Sequence, residues 1–178
     1  MKLGPALPSC SPFYAKLQCR TGRSTRIRHG GILDLSSLKS GTSDSRKDWF
    51  AVGEYKRLPN EVGGQDTCAP EDVHKQLKAL LDEYNQKKKK SFEDILDFHV
   101  QFEQIHPFQD GNGRVGRLLM FKECLANDIV PFIITDELKM FYYRGLKEWG
   151  HIDGYLIDTC LTAQDMYKEL LKYFRIKH

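Results

Sequence analysis

His106-Pro107-Phe108-Gln109-Asp110-Gly111-Asn112-Gly113-Arg114-Val115-Gly116-Arg117 joins two stretches of helical periodicity in this 178-residue chain. Upstream, Ser91 with Asp94 three residues on reads as a capped helix start. Phe92, Ile95, Phe98 or His99, Phe102 and Ile105 then form an apolar stripe. The residue before a proline disfavours helix, so Pro107 predicts a stop at His106. Downstream, the pattern predicts a helix from about Gly113 through Ala126, with Val115, Leu118, Leu119 and Leu125 inward and Asn127-Asp128 closing it.

Further out, helical patterns continue. Pro70 opens a segment with Val73, Leu77, Leu80, Leu81 and Tyr84 at spacings of three and four. Lys87 to Lys90 read as a solvated turn between helices. Another helix is expected from near Thr135-Asp136 to Trp149-Gly150. A last one is expected from about Asp153 to Phe174, with Leu156, Cys160, Met166 or Tyr167, Leu170 and Phe174 inward. Phe50, Val52 and Tyr55 begin a loosely alternating stretch that runs on to Gly63-Gly64 and suggests a small β-hairpin. The fold class is therefore mainly α, a helical domain with one small hairpin.

Composition narrows the partners. Hydrophobic residues make up 40% and charged residues 29%, as in a globular domain with a sizeable core. The longest apolar cluster, Ile129-Val130-Pro131-Phe132-Ile133-Ile134, falls far short of the ~20 residues of a membrane helix, so no membrane association is expected. The net charge of +3 is concentrated. Residues 1–33 hold Lys2, Lys16, Arg20, Arg23, Arg26 and Arg28 and no acid, and the remainder is slightly acidic. Nucleic-acid binding by the body is not indicated. Residues 1–33 form an atypical basic segment, read as a disordered tail or a misassigned start, and residues 34–48 a polar linker. The domain proper is expected over 49–176. Cys10, Cys19, Cys68, Cys124 and Cys160 are odd in number and none lie at CxxC spacing, against a disulfide framework or a zinc site. Scattered cysteines fit a reducing compartment, which points to the cytoplasm, with Cys124 and Cys160 as core fillers.

The loop from 106 to 117 carries chemistry. Gly111-Asn112-Gly113 contains the residues that reach positive φ at little cost. Such a turn gathers backbone N–H groups into an anion-binding nest, and the following helix adds four unpaired N–H groups and its positive dipole end. Arg114 and Arg117 share one face of the first turn. The dipole disfavours cations there by up to about 1 kcal/mol each, so a polyanion between them is the natural explanation. Asp110 supplies a hard oxygen ligand, and one carboxylate plus substrate phosphates is the usual way to hold Mg²⁺. His106 titrates near neutrality and flanks the same pocket, as a general base for an incoming hydroxyl would. Phe108 is expected to anchor the loop in the core. Read singly, these are a core histidine, a turn and surface arginines. Within twelve residues framed by two helices, they form a site.

The stretch resembles the signature of the Fic (Fido) family, His-Pro-Phe-x-(Asp/Glu)-Gly-Asn-Gly-Arg-x-x-Arg, at every fixed position. The likeness extends from about Trp49 to Phe174, with residues 54–64 resembling the family's flap. The resemblance implies a Fic-type helical bundle with a small β-hairpin flap. It also implies a nucleotidyltransferase activity, protein adenylylation (AMPylation): AMP passes from ATP to a Ser, Thr or Tyr hydroxyl of a target protein and pyrophosphate leaves. By that analogy His106 is the base and Asp110 binds Mg²⁺. Gly111, Asn112, Gly113, Arg114 and Arg117 bind the nucleotide. Tyr55, Lys56, Arg57, Leu58, Val62 and Gly63 belong to the flap that aligns the target backbone by edge-strand pairing. Relatives that transfer other phosphate-containing groups often depart from Gly-Asn-Gly, and this chain does not. Related phosphotransfer or de-adenylylation is the alternative within enzymes, and an inactive Fic-fold interaction module the alternative outside them.

Many relatives carry an inhibitory helix with a (Ser/Thr)-x-x-x-Glu-(Gly/Asn) motif. Thr67 to Glu71 has its spacing, but Asp72 follows, so no inhibitory glutamate is evident. Either a separate antitoxin-like protein inhibits this one, or the restraint is lacking, or the usual N-terminal region is missing. The target protein and homo-oligomerisation stay open.

Overall fold

Capping and apolar spacing set the helices, and the computed structural model describes residues 53–176. The basic segment, the polar linker, the stretch Trp49 to Val52, Cys10 and Cys19 lie outside the described residues. The first regular element is a hairpin, β1 (Glu61–Val62) against β2 (Gln65–Asp66), antiparallel with Glu61 opposite Asp66 and Val62 opposite Gln65. Gly63 and Gly64 both take positive φ, 61° and 78°, as the tight two-residue turn demands. The second strand thus lies just beyond residue 64.

A 3-10 turn, Pro70–Asp72, leads into α1 (Val73–Gln86). Then come α2 (Phe92–Ile105), α3 (Asn112–Ala126), the 3-10 turn Asp136–Leu138, α4 (Lys139–Glu148) and α5 (Gly154–Tyr173). Helix α2 starts on a complete capping box: the Ser91 hydroxyl accepts from the Asp94 N–H at 3.1 Å, and the Asp94 carboxylate accepts from the Ser91 N–H at 2.9 Å.

The core forms two clusters on either side of α2. One packs α1 against α2, α3 and Phe108, through Leu77, Phe98, Phe102 and Leu119. The other packs α2 and α3 against α4 and α5, through Ile95, Leu96, Met120, Tyr142 and Leu156. Phe98 and His99 are both buried and serve opposite sides of the wall, so the choice posed by the sequence has both answers. Cys124 and Cys160 are fully buried, and burial pushes each thiol up to about 12.

Three expectations need correction. Leu118 and Leu125 are 40% and 38% exposed, while Gly116, Met120, Glu123 and Cys124 join Val115 and Leu119 on the inward side. A helix with apolar residues on several faces can turn either way, and buried polar partners decide it here. The Glu123 carboxylate accepts from the Tyr84 hydroxyl at 3.0 Å, which makes an acidic residue an inward one. On α5, Met166, Leu170 and Phe174 are exposed and Ala163 and Gln164 are buried, because the last turns of this helix extend past the core. Lys90 is not part of a solvated turn: it is buried, with its ammonium 5.0 Å from the centre of the Tyr84 ring.

Candidate active site

The loop between α2 and α3 owes its shape to two left-handed residues and one buried amide. His106 caps α2 at φ 50°, ψ 61°, its N–H donating to the Phe102 carbonyl at 3.0 Å. Gly111 caps the start of α3 at φ 84°. Between them the Asn112 side chain, 1% exposed, bonds the Phe108 backbone twice: its Oδ1 accepts from the Phe108 N–H at 2.8 Å, and its Nδ2 donates to the Phe108 carbonyl at 2.7 Å. Phe108 itself is buried as an anchor. Asn112 therefore staples the loop with its side chain, and its backbone N–H is what it has to offer an anion.

The residues singled out from the sequence converge here. Gly111, Asn112 and Gly113 form the start of α3. A β-carbon on Gly113 would lie 3.0 Å from Arg117 Nη1, so the bare glycine lets that guanidinium lie along the first turn. Arg114 and Asp110 form an exposed pair at 3.2 Å. Among the described residues no cluster of three His, Cys, Asp or Glu could hold a metal. Asp110 alone fits the Mg²⁺ chemistry in which phosphates and water supply the remaining ligands.

His106 is half-buried, and its Nδ1 sits 3.2 Å from the Glu103 carbonyl. A carbonyl oxygen only accepts, so Nδ1 carries the hydrogen and Nε2 keeps its lone pair. Burial lowers its pKa from the usual histidine value, and the charge on Lys56 adds to this. The bond to Glu103 and the charge on Asp110 oppose it.

Beside Arg117 lies a buried polar cluster that the sequence did not reveal. His99, fully buried, has its Nε2 2.6 Å from the Tyr142 hydroxyl, and burial holds its pKa down at about 3. Burial pushes the Glu103 carboxyl up to about 7, and the Arg117 charge partly opposes this. Among the described residues Glu103 Oε1 is buried without a hydrogen-bond partner. Gly116 makes room for both side chains: a β-carbon there would meet Glu103 Oε1 at 2.5 Å and His99 Nδ1 at 3.1 Å.

The flap runs along the loop. The Lys56 N–H donates to the Pro107 carbonyl at 2.8 Å, the Leu58 N–H to Gln109 Oε1 at 3.2 Å, and Asn60 Nδ2 to the Phe108 carbonyl at 3.2 Å. Tyr55, Arg57, Leu58, Val62 and Gly63 are exposed beside it. Lys56 is different: it is 3% exposed, with its ammonium turned inward. Thr67 bonds within the flap, and Glu71 sits in the exposed 3-10 turn.

A helical bundle whose central loop gathers two arginines, a carboxylate, a histidine and a left-handed glycine at a helix start defines a recognisable class of fold. The sequence profile of the Fic/DOC family matches residues 32–124, and the chain belongs to that family. It is 34% identical over 106 residues to Protein adenylyltransferase Fic of Nematostella vectensis, covering 57% of this chain and 25% of that protein. It is 33% identical over 118 residues to Protein adenylyltransferase fic-1 of Caenorhabditis elegans, covering 65% of this chain and 22% of that one. The chain spans about a quarter of the length of these curated relatives. Among solved structures it resembles a Fic domain containing signaling protein from Bacteroides thetaiotaomicron, with TM-score 0.53, 25% identity, and coverage of 68% of this chain and 57% of that one. It shares its fold with Fic-1 from C. elegans at TM-score 0.57 and 23% identity, over 69% of this chain and 38% of that one. Among the described residues no helix is long and apolar enough to cross a membrane.

Proposed function

We propose that this protein transfers AMP from ATP to a hydroxyl of a target protein and releases pyrophosphate. The observation that carries the reading is the left-handed His106, its Nδ1 engaged by the Glu103 carbonyl, on a loop whose Gly111 opens a helix bearing Arg114 and Arg117. In this reading the nest N–H groups and the positive end of α3 take phosphate oxygens. Arg114 and Arg117 hold the outer phosphates. When bound, Mg²⁺ at Asp110 would neutralise phosphate charge.

His106 Nε2 takes the proton of the target hydroxyl as that oxygen bonds to the α-phosphorus, and the bond to pyrophosphate breaks. The neutral imidazole favoured by burial is the form that can accept it. The exposed flap, with β1 at its edge, aligns the target backbone by strand pairing. The relatives named adenylyltransferases support the same reaction class.

The test is label transfer to protein from ATP labelled at the α-phosphate and, separately, at the γ-phosphate. Label from α alone, reduced about 10²–10⁴-fold in His106→Ala with ATP binding retained, is the expected result. Label from γ would mean a phosphotransferase, and unchanged transfer in the variant would remove His106 from the role of base.

A further inference from the structure

Lys56 is a buried cation whose hydrogen-bond partners among the described residues are neutral. Its ammonium donates to Asn60 Oδ1 at 2.8 Å, to Thr67 Oγ1 at 2.6 Å and to the Ile105 carbonyl at 3.2 Å. Three hydrogens meet three neutral acceptors, so the charge is tolerated only because each donor is satisfied. Its peptide N–H donates to the Pro107 carbonyl at 2.8 Å. One residue of the flap therefore bonds both carbonyls that flank His106.

That bracket falls where the backbone needs it. His106 is a non-glycine residue at φ 50°, a conformation that costs of order 1 kcal/mol or more unless its surroundings impose it. The Ile105 carbonyl is one of the unpaired acceptors at the negative end of α2, where a cation is favoured. Pro107 has no N–H with which to stabilise the turn from the other side. The orientation of the imidazole follows from this turn, because Nδ1 must reach the Glu103 carbonyl on the last turn of α2.

We propose that Lys56 is a positioning residue for His106, its ammonium holding the carbonyl before the histidine while its peptide N–H holds the one after, and so fixing the left-handed turn that aims Nε2. The kinetic part of the proposal rests on the reading of His106 as the base; the conformational part does not. A hairpin strut alone would explain the bonds to Asn60 and Thr67. It would not explain why the ammonium also reaches the carbonyl just before the histidine.

The experiment uses the full chain labelled with 15N-histidine, with the His106 signals assigned by their loss in His106→Ala. In the wild type, His106 should show a single neutral tautomer with its hydrogen on Nδ1. In Lys56→Met the tautomers should average. Transfer of α-label should fall at least about tenfold in kcat, as expected for a misaimed base, while ATP affinity changes less than about twofold. An unchanged tautomer in a folded Lys56→Met protein would overturn the proposal, as would a loss of ATP affinity that matches the loss of kcat. Should Lys56→Met fail to fold, Thr67→Val removes one acceptor from the ammonium without replacing any residue of the loop. It should show the same tautomer change at smaller amplitude, and an unaltered signal there would equally overturn the proposal. A wild type without any transfer, but with a locked tautomer released in Lys56→Met, would refute adenylylation and uphold the role of Lys56.

Discussion

Gly145→Ala sets two tendencies against each other, and the geometry decides between them. Gly145 is buried in α4, and alanine there gains up to about 1 kcal/mol in helix propensity. The new β-carbon, however, would lie 2.7 Å from Leu156 Cα, 2.8 Å from its N and 2.9 Å from its Cβ. Ordinary carbon contacts are about 3.5–4.0 Å, so α4 and α5 would have to part by close to 1 Å. The obstacle is mostly backbone, which no rotamer change can clear. Overpacking of this kind costs about 1–3 kcal/mol, occasionally more, which outweighs the propensity gain. A net loss of about 1–2 kcal/mol should lower Tm by roughly 2–8 °C. Gly154→Ala is the control: it begins α5 and an added β-carbon meets nothing within 4 Å, so a gain of about 0.4–1 kcal/mol is expected. Urea denaturation of both variants is the assay. A Gly145→Ala protein as stable as the parent would show that the close approach of the two helices does not exist in solution.

Further outcomes follow from the site. Because burial lowers the pKa of His106, the acid limb of kcat/KM should fall below the ordinary histidine value of about 6.5, with rate lost as pH drops and the base protonates; a limb above that value would contradict the burial argument. Glu103 is raised to about 7 in the fold, so its neutral form is favoured, and stability is lost as pH rises from its unfolded value through 7. Glu103→Gln should therefore gain about 1–3 kcal/mol at pH 8 and nothing near pH 4, and equal shifts at both pH values in denaturation curves would argue against a buried titration. Asn112→Ala leaves the buried Phe108 N–H without its acceptor, at a cost of about 1–3 kcal/mol, and should weaken ATP binding as the loop loosens; an unchanged denaturation midpoint and an unchanged affinity would remove its role as a staple.

The helices and the loop were legible because their signals are local. Ser91 and Asp94 encode a capping box within four residues, and Pro107 ends α2 at its neighbour. The twelve-residue motif placed the candidate site because its members lie close in the chain as well as in space. The polar cluster beside Arg117 was not legible, since Tyr142 comes from a helix whose packing against His99 no local spacing records. Nor was the inward turn of Lys56. A lysine among polar flap residues reads as solvated, and the acceptors that hold its ammonium inside, Asn60, Thr67 and the Ile105 carbonyl about fifty positions away, come together only in the fold. Leu118 and Leu125 misled for a related reason. Hydrophobicity alone cannot identify the buried face of a helix that also buries Asn112 and Glu123.

The two clusters on either side of α2 imply a division of labour in how the molecule breathes. The flap, α1 and the loop lean on one side, and α4 and α5 on the other. Amide hydrogens of α4 and α5 can then exchange through openings that leave the loop closed, in the manner of separate cooperative units. Wear at the far end of α5, whether by heat, drifting sequence or a protease, has a route to the loop through Tyr142 and the buried His99 beside Arg117.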